Sequence, residues 1–159
     1  VTGPRSPVIR VFDCHIARER DGELEFLLLL RSSKKIYGGT WRMVGGKLEA
    51  GETAWAGCLR ELAEETGLRP QRLLAVPYVN RFYEWKHDRI NDIPVFVAVV
   101  QDGQDPQLDD EHRDFAWLSL DEAVKRLPWP GQREGMRAAR ALLLGDSELQ
   151  PFMEIPLDS

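Results

Sequence analysis

The sequence has no apolar run long enough to cross a bilayer. Its longest, Phe26–Leu30 and Val95–Val100, are strand-length, whereas a membrane helix needs about 20 residues. Cysteine is scarce: Cys14 and Cys58 are the two present, too few for a disulfide framework or a structural zinc site. Basic charge is not in excess. With 21 Lys and Arg against 26 Asp and Glu the net charge is -5, so duplex nucleic acid, held largely through neutralised phosphates, is not an expected partner. The opening VTGPRSPVIR lacks the basic-then-apolar layout of a secretory leader. What remains is a chain of 159 residues, an ordinary length for one domain that buries about two thirds of its unfolded surface. The expectation is a soluble, cytoplasmic domain with no membrane partner.

Patterning then divides the chain. Residues 1–7, with Gly3, Pro4 and Pro7, read as a flexible arm, 8–145 as the single domain and 146–159 as an extended tail. Val8–Ala17 and Leu24–Arg31 are rich in aliphatic and β-branched residues and flank the polar Arg18–Gly22, the pattern of a strand pair. Arg72–Trp85 and Ile93–Val100 predict two further strands, and Phe115–Leu118 a short last one. From Glu52 to Thr66 the period becomes helical. Trp55, Leu59, Leu62 and Thr66 share a side, and Gly67 stands where a helix-ending glycine belongs. Asp121–Leu127 and Gln132–Leu144 predict two late helices. Strands, one strongly patterned helix, more strands and then helices point to an α/β fold class with a mixed, partly antiparallel sheet.

The helix predicted over 52–66 carries the chemistry. At about 100° per residue, Glu61, Glu64 and Glu65 fall in one sector, opposite Leu59, Leu62, Trp55 and Thr66. Ala54, Gly57 and Cys58 share the acidic sector and are all small, which predicts that something approaches that face closely. Carboxylates crowded on one face repel, at i, i+4 even in water, and Arg60 pairing with Glu64 relieves only one charge. The simplest compensation for the rest is a divalent cation, and hard oxygen ligands suit Mg2+ or Mn2+. For this fragment alone, a solvated Arg/Glu-rich helix face is the other reading.

Taken with its flanks, the fragment resembles the Nudix box. Gly46, Glu52 and then Arg60-Glu61-Leu62-x-Glu64-Glu65-x-Gly67-Leu68 occupy every defined position of that motif, a coincidence with a chance on the order of 10⁻⁷ from average residue frequencies. The resemblance implies an α/β/α sandwich and the hydrolysis of a nucleoside diphosphate linked to another moiety, using Mg2+ with Mn2+ as its substitute. Residue by residue, it implies Glu61 and Glu65 as principal metal ligands and the Gly45 carbonyl as a further one. Glu64 becomes a ligand or the base that readies water, Glu52 an outer ligand or alternative base, and Arg60 a residue that orients the glutamates. A polyphosphate carries about three or four negative charges and is repelled by such carboxylates unless a metal lies between them. The resemblance also implies a homodimer, with the apolar stretch Pro151–Leu157 available to pack on a neighbour.

Outside the box, Glu111-His112 followed by Ala116-Trp117-Leu118 resembles the stretch where many Nudix enzymes place an extra acid. Glu111 is thus a candidate ligand or base, or else an acidic loop residue beside Asp109 and Asp110. His15 and His112 read as structural, His87 as a loop residue, Cys58 as a small packing side chain, and Trp129 as a hydrophobic plug. Arg31 and Arg81, with Lys34 and Lys35, are candidates to meet phosphates or a ring edge. Trp41 and Tyr83, with Tyr37, Phe82 and Trp85, are candidates to wall the cleft or stack on a flat base. Solvated surface and core packing are the other readings of these residues.

Leu27–Arg31, Gly39–Trp41 and Asp110–His112 look similar to the dihydroneopterin triphosphate diphosphatase branch and related dNTP pyrophosphohydrolases. The resemblance therefore implies a small-molecule phosphoanhydride substrate, a dNTP or dihydroneopterin triphosphate, cut between its α and β phosphates to release pyrophosphate. Dinucleoside polyphosphates, ADP-ribose or nucleotide sugars are alternatives. A non-catalytic nucleotide-binding Nudix module is another, and such a module need not keep all of Glu52, Glu61, Glu64 and Glu65.

Overall fold

Strand β1 (Val11–Arg20) turns at Asp21-Gly22 into β2 (Glu23–Arg31), and the two pair antiparallel. Along β2 the side chains alternate between two cores. Leu27 and Leu29 enter one cluster, Phe26 and Leu28 the other, as the period of two demands. Both faces are covered, which is why the strand reads as a continuous apolar run rather than an alternating one. The computed structural model describes residues 8–145 and 148–157; the arm expected over 1–7 lies outside the described residues.

Two short strands follow, β3 (Trp41–Arg42) and β4 (Val44–Lys47), and then helix α1 (Ala54–Thr66). Next come β5 (Arg72–Glu84), β6 (Arg89–Val99) and β7 (His112–Leu118), then helices α2 (Leu120–Arg126) and α3 (Pro130–Leu144). A single helical turn, α4 (Gln150–Met153), and a last strand, β8 (Glu154–Ile155), end the described chain. The sheet order is β3-β2-β1-β6-β5-β8, with β4 on β1 and β7 on β2. Only β1 and β6 run parallel among these pairs. On one face Cys58 and Leu62 of α1 pack on Phe12, Cys14 and Ile16. On the other, Met136, Ala139 and Leu142 of α3, with Ala123 of α2, pack on Phe26 and Leu28. The result is an α/β/α sandwich around a mixed sheet. Among the described residues no helix is long and apolar enough to cross a membrane.

Within the stretch expected as an extended tail, the described residues 148–157 hold a helical turn and a strand. After α4, β8 adds to the outer edge of β5, Leu73 opposite Ile155 and Leu74 opposite Glu154. Arg72 Nη2 meets Glu154 Oε1 at 2.6 Å. An open strand edge leaves backbone donors and acceptors unmatched, and this edge exists only once β5 has paired with β6. Local pattern therefore cannot register the strand that covers it. Ile155 joins one core cluster and Met153 the other, while Phe152 remains exposed.

Candidate active site

Helix α1 is fixed in register at both ends. The Thr53 side chain accepts the Ala56 N–H at 3.2 Å, and Gly67, at φ 68, closes the helix in the left-handed conformation with its N–H on the Ala63 carbonyl. Strand β4 then passes very close to the acidic face. A Cβ on Gly46 would stand 2.9 Å from Glu61 Cδ, so the absence of a side chain is what permits the approach. The other small residues have a different explanation from the one their spacing suggests. A Cβ on Gly57 would lie 2.4 Å from Leu48 Cδ2 and 2.8 Å from Glu52 Oε1, and Cys58 is wholly buried in the core. The chain's own 48–52 loop and core fill that space. Trp55, expected on the packed side, is 45% exposed.

Arg60 organises the glutamates. Its Nε donates to Glu52 Oε2 at 2.7 Å and its Nη2 to Glu52 Oε1 at 2.9 Å, a bidentate pair. Its Nη1 reaches Glu61 Oε1 at 2.8 Å and Glu64 Oε2 at 3.3 Å, and Nη2 also meets the Lys47 carbonyl at 3.2 Å. The Arg60 bonds, with the Glu49 N–H, hold the Glu52 carboxyl down at about 2.

Glu65 stands apart from this network. It is 3% exposed, and burial pushes its carboxyl up to about 8. Arg42 pulls the other way, while Glu61, Asp109 and Glu111 push it further up. Among the described residues its buried Oε2 has no hydrogen-bond partner. Close by, Asp109 Oδ1 lies 2.8 Å from His112 Nδ1, and His112 Nε2 lies 3.9 Å from Glu65 Oε1. Glu65, Asp109 and His112 each offer a ligand atom, and these atoms lie within 4.8 Å of one another. Glu61 and Glu64 turn instead toward Arg60.

A cleft of about 420 Å³ opens beside Glu61, Gly46 and Glu111. Arg31, Arg42 and Lys47 also line it, with Asp13. Acids and bases thus share one cavity, Arg31 Nη1 lying 3.9 Å from Glu111 Oε2. Asp13, on β1, is 7% exposed and accepts from Asn80 Nδ2 at 3.2 Å. Burial raises its carboxyl to about 6 against the opposing effects of Asn80 and Arg42.

The sequence candidates therefore separate. Arg31, Glu61 and Glu111 line the cleft, and Gly45 precedes the cleft-lining Gly46 on β4. Trp41 packs against the other core, with the Arg126 guanidinium 4.9 Å from its ring centre. On the β5–β6 hairpin, Arg81 pairs with Asp92 at 3.2 Å and the Tyr83 hydroxyl donates to Asp88 at 2.7 Å. Trp41, Arg81 and Tyr83 are not among the residues lining this cleft. Trp129 caps α3 half-exposed, edge-on to Tyr37 at 5.2 Å, rather than plugging the core. Spacing gave no hint of Arg42 or Lys47. Asp13 had one available signal, a lone acid inside the apolar run Val8–Ala17.

A family model described as NUDIX domain matches residues 9–139. An octanoyltransferase of Myxococcus xanthus is 33% identical over 142 residues, covering 85% of this chain but 38% of that protein. The chain thus spans well under half of that relative's length. The asymmetrical bis(5'-nucleosyl)-tetraphosphatase of Caenorhabditis elegans is 27% identical over 140 residues, covering 87% of this chain and 99% of that one. A C. elegans Ap4A hydrolase binary complex superimposes with TM-score 0.72 at 24% identity, over 87% of this chain and 99% of that chain.

Proposed function

This chain belongs to the NUDIX family, and on that premise we propose that it is a hydrolase whose cleft cleaves a phosphoanhydride bond of a nucleoside polyphosphate with a divalent cation, Mg2+ or in its place Mn2+. The observation that carries this reading is the pairing of charges in one cavity. Glu61 and Glu111 supply anionic oxygens for a cation, and Arg31, Arg42 and Lys47 supply cations for phosphate.

The residues fit the ion. Glu61, Glu64, Glu65 and the Gly45 carbonyl are hard oxygen donors, and among the described residues the buried Oε2 of Glu65 has no hydrogen-bond partner. When bound, such a cation polarises phosphoryl oxygens and lowers the pKa of a coordinated water. Arg60 acts through the glutamates, holding Glu52 with two hydrogen bonds and Glu61 with one. Glu52 is poorly suited to accept a proton, because both its oxygens are engaged and its carboxyl sits at about 2. That leaves Glu64, 59% exposed, and Glu111, 45% exposed on the cleft, as the bases for water. Arg31, Arg42 and Lys47 neutralise the phosphates and orient the chain between them.

Two substrate readings follow. A dNTP or dihydroneopterin triphosphate cut between α and β phosphates gives a monophosphate and pyrophosphate. A dinucleoside polyphosphate is the second, favoured by the nearly end-to-end similarity to the nematode tetraphosphatase. A Mg2+ hydrolysis panel over dNTPs, dihydroneopterin triphosphate, diadenosine tetraphosphate, ADP-ribose and nucleotide sugars, with products identified, separates them. Nucleotide binding without turnover of any member would favour a non-catalytic module and end the hydrolase proposal.

A further inference from the structure

Asp109, His112 and Glu65 form a cluster, their ligand atoms within 4.8 Å of one another, that the reaction above does not use in full. The His112 side chain is wholly buried, with Asp109 Oδ1 2.8 Å from its Nδ1. A carboxylate there places the ring proton on Nδ1, which leaves Nε2 as a bare acceptor. That nitrogen faces Glu65 Oε1 at 3.9 Å, beyond hydrogen-bond reach. Among the described residues, neither His112 Nε2 nor Glu65 Oε2 has a hydrogen-bond partner. Polar groups left unmatched across such a gap in a dry interior are a poor arrangement by themselves.

The gap has the size of a coordination sphere. An ion bound about 2.0–2.2 Å from a nitrogen and an oxygen lets them lie up to about 4.2 Å apart. Histidines that ligate metals characteristically donate their other N–H to a carboxylate, which fixes tautomer and ring orientation. Asp109 stands where that partner belongs.

We propose that His112 Nε2 and Glu65 are ligands of a divalent transition ion, with Asp109 orienting the ring, so that the metal centre carries a nitrogen donor beside its carboxylates. The proposal rests on the reading of Glu65 as a metal ligand given above. A mixed nitrogen and oxygen donor set favours Mn2+, Co2+ or Zn2+ over Mg2+, whose preference is for oxygen alone.

Mn2+ alone, added to the nucleotide-free full chain and followed by pulsed electron paramagnetic resonance, tests this. The expected result is bound Mn2+ with a nitrogen coupling that changes to the 15N pattern when the protein is made with 15N-histidine. The other histidines are His15, packed against Gly135 of α3, and His87, exposed beside Glu84. His112→Gln should therefore remove the coupling while Mn2+ still binds, and lower the calorimetric preference for Mn2+ over Mg2+ at least tenfold. The labelling experiment needs no variant, so a misfolded His112→Gln does not hide the answer. Bound Mn2+ without a histidine coupling, or a coupling that persists in His112→Gln, overturns the inference and leaves the carboxylate metal reading standing. No Mn2+ binding at all overturns both.

Discussion

Replacing Glu65 by Gln should make the metal-free protein more stable while destroying its response to metal. Glu65 is 3% exposed, and its carboxyl is raised from 4.5 to about 8, chiefly by burial. A folded-state pKa above the unfolded one means that this group's stability is fully present below 4.5 and is lost as pH rises through about 8. At pH 7 the loss spans about 2.5 units, or about 3 kcal/mol. Glutamine has the same shape and no charge to bury, but its amide inherits an unmatched polar group that costs about 1 kcal/mol. The net gain at pH 7 is about 2 kcal/mol, a rise in Tm of about 4–8 °C for a chain of this size. Urea and thermal unfolding in chelator at pH 5, 7 and 8.5 measure it. The advantage should be near zero at pH 5 and largest at pH 8.5. With saturating Mg2+ the order should reverse, because ligand binding stabilises only the wild type, and turnover of Glu65→Gln should fall by orders of magnitude. Equal or lower stability of Glu65→Gln in chelator at pH 8.5 would refute the argument.

Glu111→Ala should lower kcat at least tenfold with an unchanged melting curve; a loss under twofold would leave Glu111 as an ordinary acidic loop residue. Gly46→Ala puts a methyl 2.9 Å from Glu61 Cδ and should displace that carboxylate, reducing Mg2+ affinity severalfold in calorimetry with the fold retained. His15 is fully buried and its imidazole is lowered to about 3. A depressed histidine leaves stability intact above 6.5 and removes it as pH falls toward 3, at about 1.4 kcal/mol per unit. His15→Leu should therefore flatten the acid limb of the stability profile, by about 3 kcal/mol at pH 4.5 relative to neutral pH. Parallel acid limbs in the two proteins would count against it.

Much of helix α1 was legible because its information is local. A helix turns every 3.6 residues whatever surrounds it, so Glu61, Glu64 and Glu65 had to share a side, Arg60 had to reach Glu64, and Gly67 had to end the run. The strands were legible too, since buried sheets demand aliphatic and β-branched runs. The β5–β6 hairpin reaches further than its apolar core, pairing Glu84 with Arg89, because backbone hydrogen bonds continue where hydrophobicity does not.

Sequence by itself thus determined the spacing of the carboxylates and the family the chain belongs to. Which side chains meet them was decided only by tertiary structure. Arg42 comes from β3, Lys47 from β4, Asp13 from β1, and His112 from the start of β7. No period links these positions, because strand order and register bring them together through contacts between residues far apart in the chain. Tertiary structure likewise docked β8 on the edge of β5 and filled the space beside Gly57 with Leu48 and Glu52. Period is a property of one segment, whereas proximity across a sheet is a property of the whole chain packed at once.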